Sequence, residues 1–467
     1  MNKIKVAIAA LLFSGNTAFA GGFLTNTNQS VLFLRNPARD AAIGIDGVYT
    51  NPAGVAFLND GWHLSFNWQN AHQTRTINSA YGPLFSFNAE APATLGADGL
   101  AWREFKGVAD APFLPSIQAA YNKDRWSFQF NAAVSGGGGK CEFDKGLGSL
   151  EGLVASQIVP KKEDSQVQQA MAAAQGVMLN GQYGLNSYMK GRQYYFGTTL
   201  GAAYKVQENL SVFVGARVLY GTARYEGYVK DIMMGVMPVN PATGEPVPEQ
   251  SLLVPAGQDD ITLDCKQSAL GVAPFVGVDC KIGRLNLATK FDFKVRMRLK
   301  NDTSTPVTVS QLAKYADGNV VAEDSPALFT FGAQYEITDQ WRVMAGYHRF
   351  FDVDTRQYTK DLVGDTNEFN VGTEYDITDW LQVSGGLQKT NYDQKDGFMN
   401  DISFNVSSYT FGLGFGVKVS DQVRLNAAYF QTNYDTYKKT EQVSTITVKN
   451  NFTRTNSVFG LGVEWDF

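Results

Sequence analysis

The stretch LNLATKFDFKVRMRL, residues 285–299, alternates without a break. Its odd positions, Leu285, Leu287, Thr289, Phe291, Phe293, Val295, Met297 and Leu299, are mostly apolar. Its even positions, Asn286, Ala288, Lys290, Asp292, Lys294, Arg296 and Arg298, are mostly polar or charged. A period of two marks a strand with one apolar and one polar face. Trp62, Leu64, Phe66 and Trp68 alternate with His63, Ser65, Asn67 and Gln69 in the same way. Segments of this kind fall at about 61–70, 113–122, 125–135, 192–206, 210–224, 264–281, 285–300, 326–337, 340–351, 367–377, 380–391, 404–419, 422–434 and 454–467. A soluble sheet rarely repeats the pattern along most of a chain while leaving so much charge on the second face. The count, fourteen, is even, and each segment reaches the roughly 9–11 residues that a tilted membrane-spanning strand needs. The expected fold is all-β: a 14-stranded antiparallel transmembrane barrel over 61–467.

Connections alternate between short and long. Asn122-Lys123-Asp124, Gln207-Glu208-Asn209, Ile282-Gly283-Arg284, Thr338-Asp339, Thr378-Asp379 and Ser420-Asp421 are the tight ones. Short periplasmic turns and long outer loops are the usual asymmetry of such barrels, and this places both chain ends in the periplasm. Trp62, Trp126, Trp341, Trp380 and Trp465 fall at strand ends on the short-turn side, where an aromatic girdle belongs. The chain closes on Val463-Glu464-Trp465-Asp466-Phe467, and the terminal Phe467 resembles the signal read by barrel-assembly machinery.

Residues 1–20 carry Lys3 and Lys5, an apolar run from Val6 to Phe13, and Ala18-Phe19-Ala20 before Gly21, which is the pattern of a cleaved signal peptide. The run is too short for a spanning helix. The formal charge of −5 becomes about −7 without the leader, which argues against nucleic acid as a partner. Of three cysteines, Cys265 and Cys280 sit too far apart on one strand to pair, whereas a Cys141–Cys265 bridge is open to test. The histidines, His63, His72 and His348, show no spacing to a serine nucleophile. No zinc pattern, phosphate loop or dinucleotide fingerprint is present, so neither a catalytic site nor a metal or other cofactor is expected.

Residues 21–60 are rich in small residues and turn formers and have no sustained period, which suits a hatch inside the barrel. Within them stands Asn51-Pro52-Ala53-Gly54. Asn before Pro favours a turn, and the proline fixes its own φ and lacks a donor; a linker turn into the first strand is the plainer alternative. An Asn-Pro-Ala motif in a forty-residue hatch ahead of fourteen strands resembles the FadL family of outer-membrane transporters for long-chain fatty acids and other hydrophobic compounds. The resemblance covers the mature chain in architecture. It departs at Arg35-Asn36-Pro37-Ala38-Arg39-Asp40, a second Asn-Pro-Ala with flanking charges where relatives often carry glycine and serine.

The resemblance implies lateral release into the lipid bilayer through an inward kink of the third strand. Here that strand leads into Gly136-Gly137-Gly138-Gly139, so an opening near Asn131, Gly136, Gly137 and Gly138 is expected, a flexible loop entry being the alternative. In the loop from Lys140 to Gly191, Ser165 to Leu179 reads as a helix with Val167, Met171, Ala174 and Met178 on one stripe. With Leu147, Leu150, Leu153 and Val154 it would offer apolar surface for capture, or pack as a core of the loop. Arg217, Lys290, Lys294, Arg296 and Arg298 would face the lumen, free to hold a carboxylate or matched to acids such as Asp292, Asp40 and Asp46. The reading is passive, hatch-gated uptake of hydrophobic small molecules by a monomer in the bacterial outer membrane. A channel for hydrophilic solutes and a loop-borne adhesin remain alternatives.

Overall fold

The computed structural model describes residues 27–81, 88–90, 93–257, 259–307, 310–355, 360–401, 404–443 and 446–467. The expected leader and its cleavage site, with the first six hatch residues, lie outside these. Fourteen wall strands run in chain order. They are β1 (Gly61–Tyr81), β2 (Ala101–Lys123), β3 (Trp126–Phe143), β4 (Val177–Gln207), β5 (Leu210–Pro238), β6 (Ile261–Ile282) and β7 (Leu285–Asp292, resuming as Arg298–Thr303). Then follow β8 (Ala327–Glu336), β9 (Trp341–Phe351), β10 (Thr366–Asp376), β11 (Leu381–Asn391), β12 (Ser408–Lys418), β13 (Val423–Tyr434) and β14 (Ile446–Asp466). Each pairs antiparallel with the next, and β14 pairs with β1 along its length, so the sheet closes. Closure satisfies edge groups that lipid could not. At the seam, Phe467 N donates to Trp62 O at 2.9 Å and Trp62 N to Phe467 O at 2.6 Å.

The faces sort as their residues dictate. Phe66, Leu200, Val214, Leu270, Val371, Leu413 and Leu461 form an exposed apolar belt, and Trp62, Trp126, Trp341, Trp380 and Trp465 are exposed at its short-turn edge. Strands β8 to β13 have 10 to 12 residues, enough for the bilayer alone. Strands β1 to β6 are longer, up to 31 residues in β4, so one side of the wall rises above the membrane. The alternation near their outer ends is interrupted by Pro112, Pro115 and Gly181, which is why the sequence shows only their lower halves.

Residues 285–299, so regular in sequence, are not one strand. Asp292 pairs with Phe275 of β6, but Lys300 pairs with Ser268, so β7 uses one residue more than its neighbour between these points. One inserted residue turns every later side chain to the opposite face. Asn286, Ala288, Lys290 and Asp292 are buried toward the lumen; beyond the break it is Val295, Met297 and Leu299 that are buried. The segment also folds inward. A Cβ on lumen-facing Gly271 would lie 2.6 Å from Val295 and 2.7 Å from the Arg296 carbonyl, and the apolar trio packs on Tyr195, Leu219, Ala269 and Ala273.

The outer mouth is capped. Helices α3 (Gly148–Glu163) and α4 (Ser165–Gln175) fold back over it. Leu147 and Val154 are buried with Phe105, Phe143, Phe398, Phe404 and Phe452 in one large cluster, so these side chains close the mouth instead of presenting an open apolar patch. The Glu151 carboxylate pins α3 to the wall, accepting from Tyr183 Oη at 2.8 Å, Asn88 N at 3.2 Å and Arg103. Helix α4 stops at Gly176 in the left-handed region (φ 68°), the usual glycine stop, so Met178 belongs to β4 and not to the helical stripe; Ala174 is exposed. Met171 stays on α4, half-buried. Cys141, Cys265 and Cys280 are all free thiols, so the Cys141–Cys265 bridge does not form.

Candidate functional site

The hatch fills the lumen. Helix α1 (Val31–Arg35) starts where the Ser30 hydroxyl accepts from Leu32 N at 3.1 Å, and α2 is the single turn Gly47–Thr50. Both end at an Asn before Pro, Asn36 and Asn51, because proline cannot continue a helix and pushes the preceding residue toward extended backbone. Each Asn then folds its side chain onto the chain ahead: Asn36 Oδ1 accepts from Ala38 N at 3.0 Å, and Asn51 Oδ1 from Gly54 N at 3.2 Å. The second Asn-Pro-Ala motif thus repeats the first one's turn.

Both turns are locked to the wall. Asn51 Nδ2 donates to Ala42 O at 3.2 Å and to Asp279 Oδ2 of β6 at 2.5 Å; Asn286 of β7 donates to the same Asp279 oxygen at 2.9 Å. Gln129 of β3 donates to Pro52 O at 2.7 Å, while Ala53 packs with Ala56, Ala203, Phe213 and Phe275. Gly54 is needed for space: a Cβ there would stand 2.3 Å from Asn51 Nδ2. Wall glycines seat the rest. A Cβ on Gly372 would meet Asn36 Oδ1 at 1.8 Å, on Gly346 Asp40 Oδ2 at 2.0 Å, and on Gly412 Leu34 O at 2.1 Å.

Charge fixes the hatch as firmly. Arg39 holds Asp46 through Nε at 2.8 Å and Nη2 at 3.0 Å, and reaches Glu374 of β10 at 2.6 Å. Burial works against its charge, but the two carboxylates outweigh it and hold the guanidinium above its ordinary pKa. His348 of β9 stands between Asp40 Oδ1 at 2.8 Å and Glu368 Oε2 at 2.9 Å. Below the hatch lies a vestibule of about 780 Å³ lined by Arg35, Arg39, Arg342, Glu374, Arg424 and Glu464, a poor path for an apolar solute.

The expected lumenal cations divide. Arg217 and Lys290 do face inward, but both are engaged: Arg217 bonds Asp292 at 3.2 Å, and Lys290 bonds Asp292 at 3.3 Å and the hatch carbonyl of Tyr49 at 2.8 Å. Lys294, Arg296 and Arg298 lie past the register shift. Lys294 Nζ donates to Asp354 O at 2.6 Å, Arg298 pairs with Asp324 at 2.9 Å and Arg296 is exposed, so none of the three lines the pore as expected.

Beside the hatch the wall loses its ladder pairing. Strands β2 and β3 pair from Lys123↔Trp126 up to Ser116↔Ala133 and meet again only at Val108↔Glu142. Between, β3 stays on β4 but takes extra residues at Val134/Gly136 and Gly136/Gly139, with Gly137 (φ 104°) and Gly139 (φ 69°) in backbone that side chains resist. Gly138 lies within this bulge. On the other edge β2 bulges at Pro112 and Phe113, and Phe113 is exposed. Gly136, Gly137 and Gly138, where the sequence reading expects an opening, lie in this break of the β2–β3 pairing.

Asn131 joins β3 to the hatch at the foot of this stretch. Its Nδ2 donates to Gln29 Oε1 at 2.9 Å, and Gln29 Nε2 donates to Ser135 Oγ at 3.2 Å. The Gln29 carbonyl accepts from Gln118 Nε2 at 3.2 Å and from Ser116 Oγ. One hatch residue therefore ties β2 to β3 at the last rung before they part. Sequence reasoning missed Gln29, Ser116, Gln118 and Asp279. Asp279, a lone acid on the inward parity of Val276–Cys280, was the one with a visible signal.

The profile of the outer membrane protein beta-barrel domain matches residues 276–467, under half of the chain. None of the curated proteins compared matches the sequence. Among solved structures, a FadL homologue of Pseudomonas aeruginosa superposes with a TM-score of 0.62 at 15% identity, covering 96% of this chain and 100% of that one. The toluene transporter TodX of Pseudomonas putida superposes with a TM-score of 0.53 at 13% identity, covering 93% and 96%. With the apolar belt, the tryptophan girdle and the plugged lumen, these likenesses make the chain a bacterial outer-membrane barrel with the FadL-type fold.

Proposed function

We propose that the chain is a FadL-family transporter. It takes hydrophobic molecules, long-chain fatty acids foremost, from outside the cell and releases them sideways into the outer membrane between β2 and β3, without an energy source and without catalysis. The observation that carries this reading is the unpaired stretch between β2 and β3 with Gln29 of the hatch fastened across its foot. Two further observations support it. The lumen below is blocked by a hatch bonded to six or more strands, and the space beneath is charged. A solute that reaches hatch level meets less resistance sideways, where exposed Phe113 and the apolar belt lead into lipid. The names of the superposed channels, a FadL homologue and a toluene transporter, agree with a hydrophobic cargo.

The test uses cells lacking their own transporter and a labelled long-chain fatty acid. Ala109 of β2 and Cys141 of β3, a free thiol, are the residues next to the Val108↔Glu142 rung on the side of the break and share one buried cluster. Oxidised Ala109→Cys is expected to staple the upper edge of the opening, reduce uptake severalfold, and recover under a reductant. Full uptake with the disulfide formed would refute lateral release. No uptake by the unmodified protein, with steady ion conductance in a planar bilayer, would favour a hydrophilic channel instead.

A further inference from the structure

The outer face of the tall side of the wall carries four cations in one register line. Lys140 of β3 pairs with Arg192 of β4, Arg192 with Arg224 of β5, and Arg224 with Lys266 of β6. Their side chains point outward, since the strand neighbours Cys141, Tyr225 and Cys265 are buried toward the lumen. Like charges at opposed positions repel, and here three such oppositions follow one another. The acids that answer them sit one step farther from the membrane: Glu142, Glu226 and Asp264 share the next outward register line with Lys190. Glu142 holds Lys140 at 2.6 Å, and Glu226 and Asp264 each hold Arg224 at 3.0 Å. Arg192 and Lys266, both exposed, are in no ion pair among the described residues, although Asp302 is the register partner of Lys266.

Height gives the line a meaning. Val212 opens the exposed apolar face of β5 at its periplasmic end. From there to Arg224 the strand runs about 40 Å, or about 30 Å along the membrane normal at a tilt of about 40°. The apolar band of such barrels is about 25 Å tall, so Arg224 stands at the level of the outer head groups, with Arg192 and Lys266 one strand to either side. Below them Phe196, Tyr220 and Leu270, register partners of one another, are exposed. The short side of the barrel shows no such line among the described residues. Its outward cations, Arg349 of β9 and Lys389 of β11, stand singly, each beside an acid: Asp365 at 2.8 Å and Asp435 at 3.6 Å.

We propose that Arg192 and Lys266, with Arg224 between them, bind the phosphates of a glycolipid in the outer leaflet, its acyl chains lying on Phe196, Tyr220 and Leu270. Guanidinium and ammonium groups meet phosphate oxygens in charge-assisted hydrogen bonds, and a dianionic head removes the repulsion along the line. The acids above repel an anion arriving from bulk water, so the head group is taken from the membrane side. The site lies on the outer wall, apart from the passage of solute, and does not depend on the uptake reading.

The experiment places the full protein in nanodiscs of a zwitterionic phospholipid carrying a trace of a bisphosphorylated, multiply acylated glycolipid or its dephosphorylated form, and counts bound glycolipid by native mass spectrometry. The unmodified protein is expected to prefer the phosphorylated form by about tenfold or more, the lower range of a charge-assisted hydrogen bond at a water-exposed surface. Arg192→Gln with Lys266→Gln is expected to erase the preference, Arg192→Lys to keep most of it, and Arg349→Gln with Lys389→Gln to leave it unchanged. Inorganic phosphate at millimolar concentration is expected to leave the glycolipid bound. Heat-modifiable mobility in gels certifies each barrel, and the single Arg192→Gln variant, at an exposed position, stands in should the double one not fold. No preference in the unmodified protein, a preference that survives the Arg192 and Lys266 changes or falls equally with the short-side pair, or full displacement by free phosphate overturns the proposal.

Discussion

Replacing Gln29 with Ala tests the link between hatch and opening with little collateral damage. The side chain accepts from Asn131 Nδ2 at 2.9 Å and donates to Ser135 Oγ at 3.2 Å; the main-chain carbonyl bonds from Gln118 and Ser116 need no side chain and persist. Two neutral hydrogen bonds are worth about 1 kcal/mol each, and a buried Asn131 amide left without its acceptor adds about 1–2 kcal/mol. The docked state of the first hatch turn is therefore weakened by about 3–4 kcal/mol, or roughly 150- to 1000-fold in its ratio to the released state. Hydrogen exchange of residues 27–35 reads this directly, since Val31 N is held by Asn67 Oδ1 at 2.9 Å in the docked turn. Exchange there is expected to quicken while the strands stay protected, and the initial uptake rate of labelled fatty acid to rise. Unchanged exchange would refute the energetic argument. Faster exchange with unchanged uptake would show that the tie across β2 and β3 lies off the path.

Asn51→Ala strips Asp279 of one of its two donors and frees the Gly54 amide, so a loss of about 2–4 kcal/mol is expected, read as a lower temperature for conversion of the folded band in detergent gels. Gly372→Val places carbon where Asn36 Oδ1 sits, 1.8 Å from the ideal Cβ, and must displace the Asn36-Pro37-Ala38 turn; single-channel conductance in planar bilayers is expected to rise from a closed baseline. Asp352, in the short turn after β9, is pushed up to about 6 by burial, against the Thr366 hydrogen bond that lowers it. A carboxyl raised in the folded state stabilises it most at low pH and loses that contribution as pH climbs through about 6. The loop between β9 and β10 is thus expected to exchange more slowly at pH 5 than at pH 7 after correction for intrinsic rates, and Asp352→Asn to abolish the difference.

Strand number and membrane face were legible because lipid imposes a rule on every second residue, and fourteen repeats average out local exceptions. The exceptions are where the reading failed. Nothing in LNLATKFDFKVRMRL signals the extra residue after Asp292, since both faces continue to alternate through it; only the pairing with β6 reveals that Arg296 and Arg298 have left the lumen. The Asn-Pro-Ala turns were legible as turns, because proline acts on its own neighbours. Their partners were not, because Asp279 and Met344 lie hundreds of residues away. Lumenal glycines such as Gly372 and Gly412 carry no local signal of their role, yet they are the sockets into which Asn36 and Leu34 fit. The break in β3 pairing was legible as a glycine run, whereas the tie at Gln29 depends on three segments meeting at one rung.

The bonding of the hatch also decides between two ways a solute could pass. Ejecting the hatch would break Arg39 from Glu374, Asp40 from His348 and Asn51 from Asp279, with the first two leaving buried charges unmatched. Breaking a buried pair by removing one partner costs about 3–5 kcal/mol, so two such pairs approach the 5–15 kcal/mol by which a whole domain is stable. A bound solute can shift the hatch only by the difference in its affinity for the two states, and an apolar molecule has little to offer a charged vestibule. Sideways release asks for far less. No ladder bonds join β2 to β3 between Ser116↔Ala133 and Val108↔Glu142, and what remains to be moved is the turn around Gln29, held by neutral hydrogen bonds. The hatch is therefore best understood as a fixed floor with one movable corner. On the proposed reading its charges keep the periplasmic route shut, and its first turn sets how readily the solute leaves for the membrane.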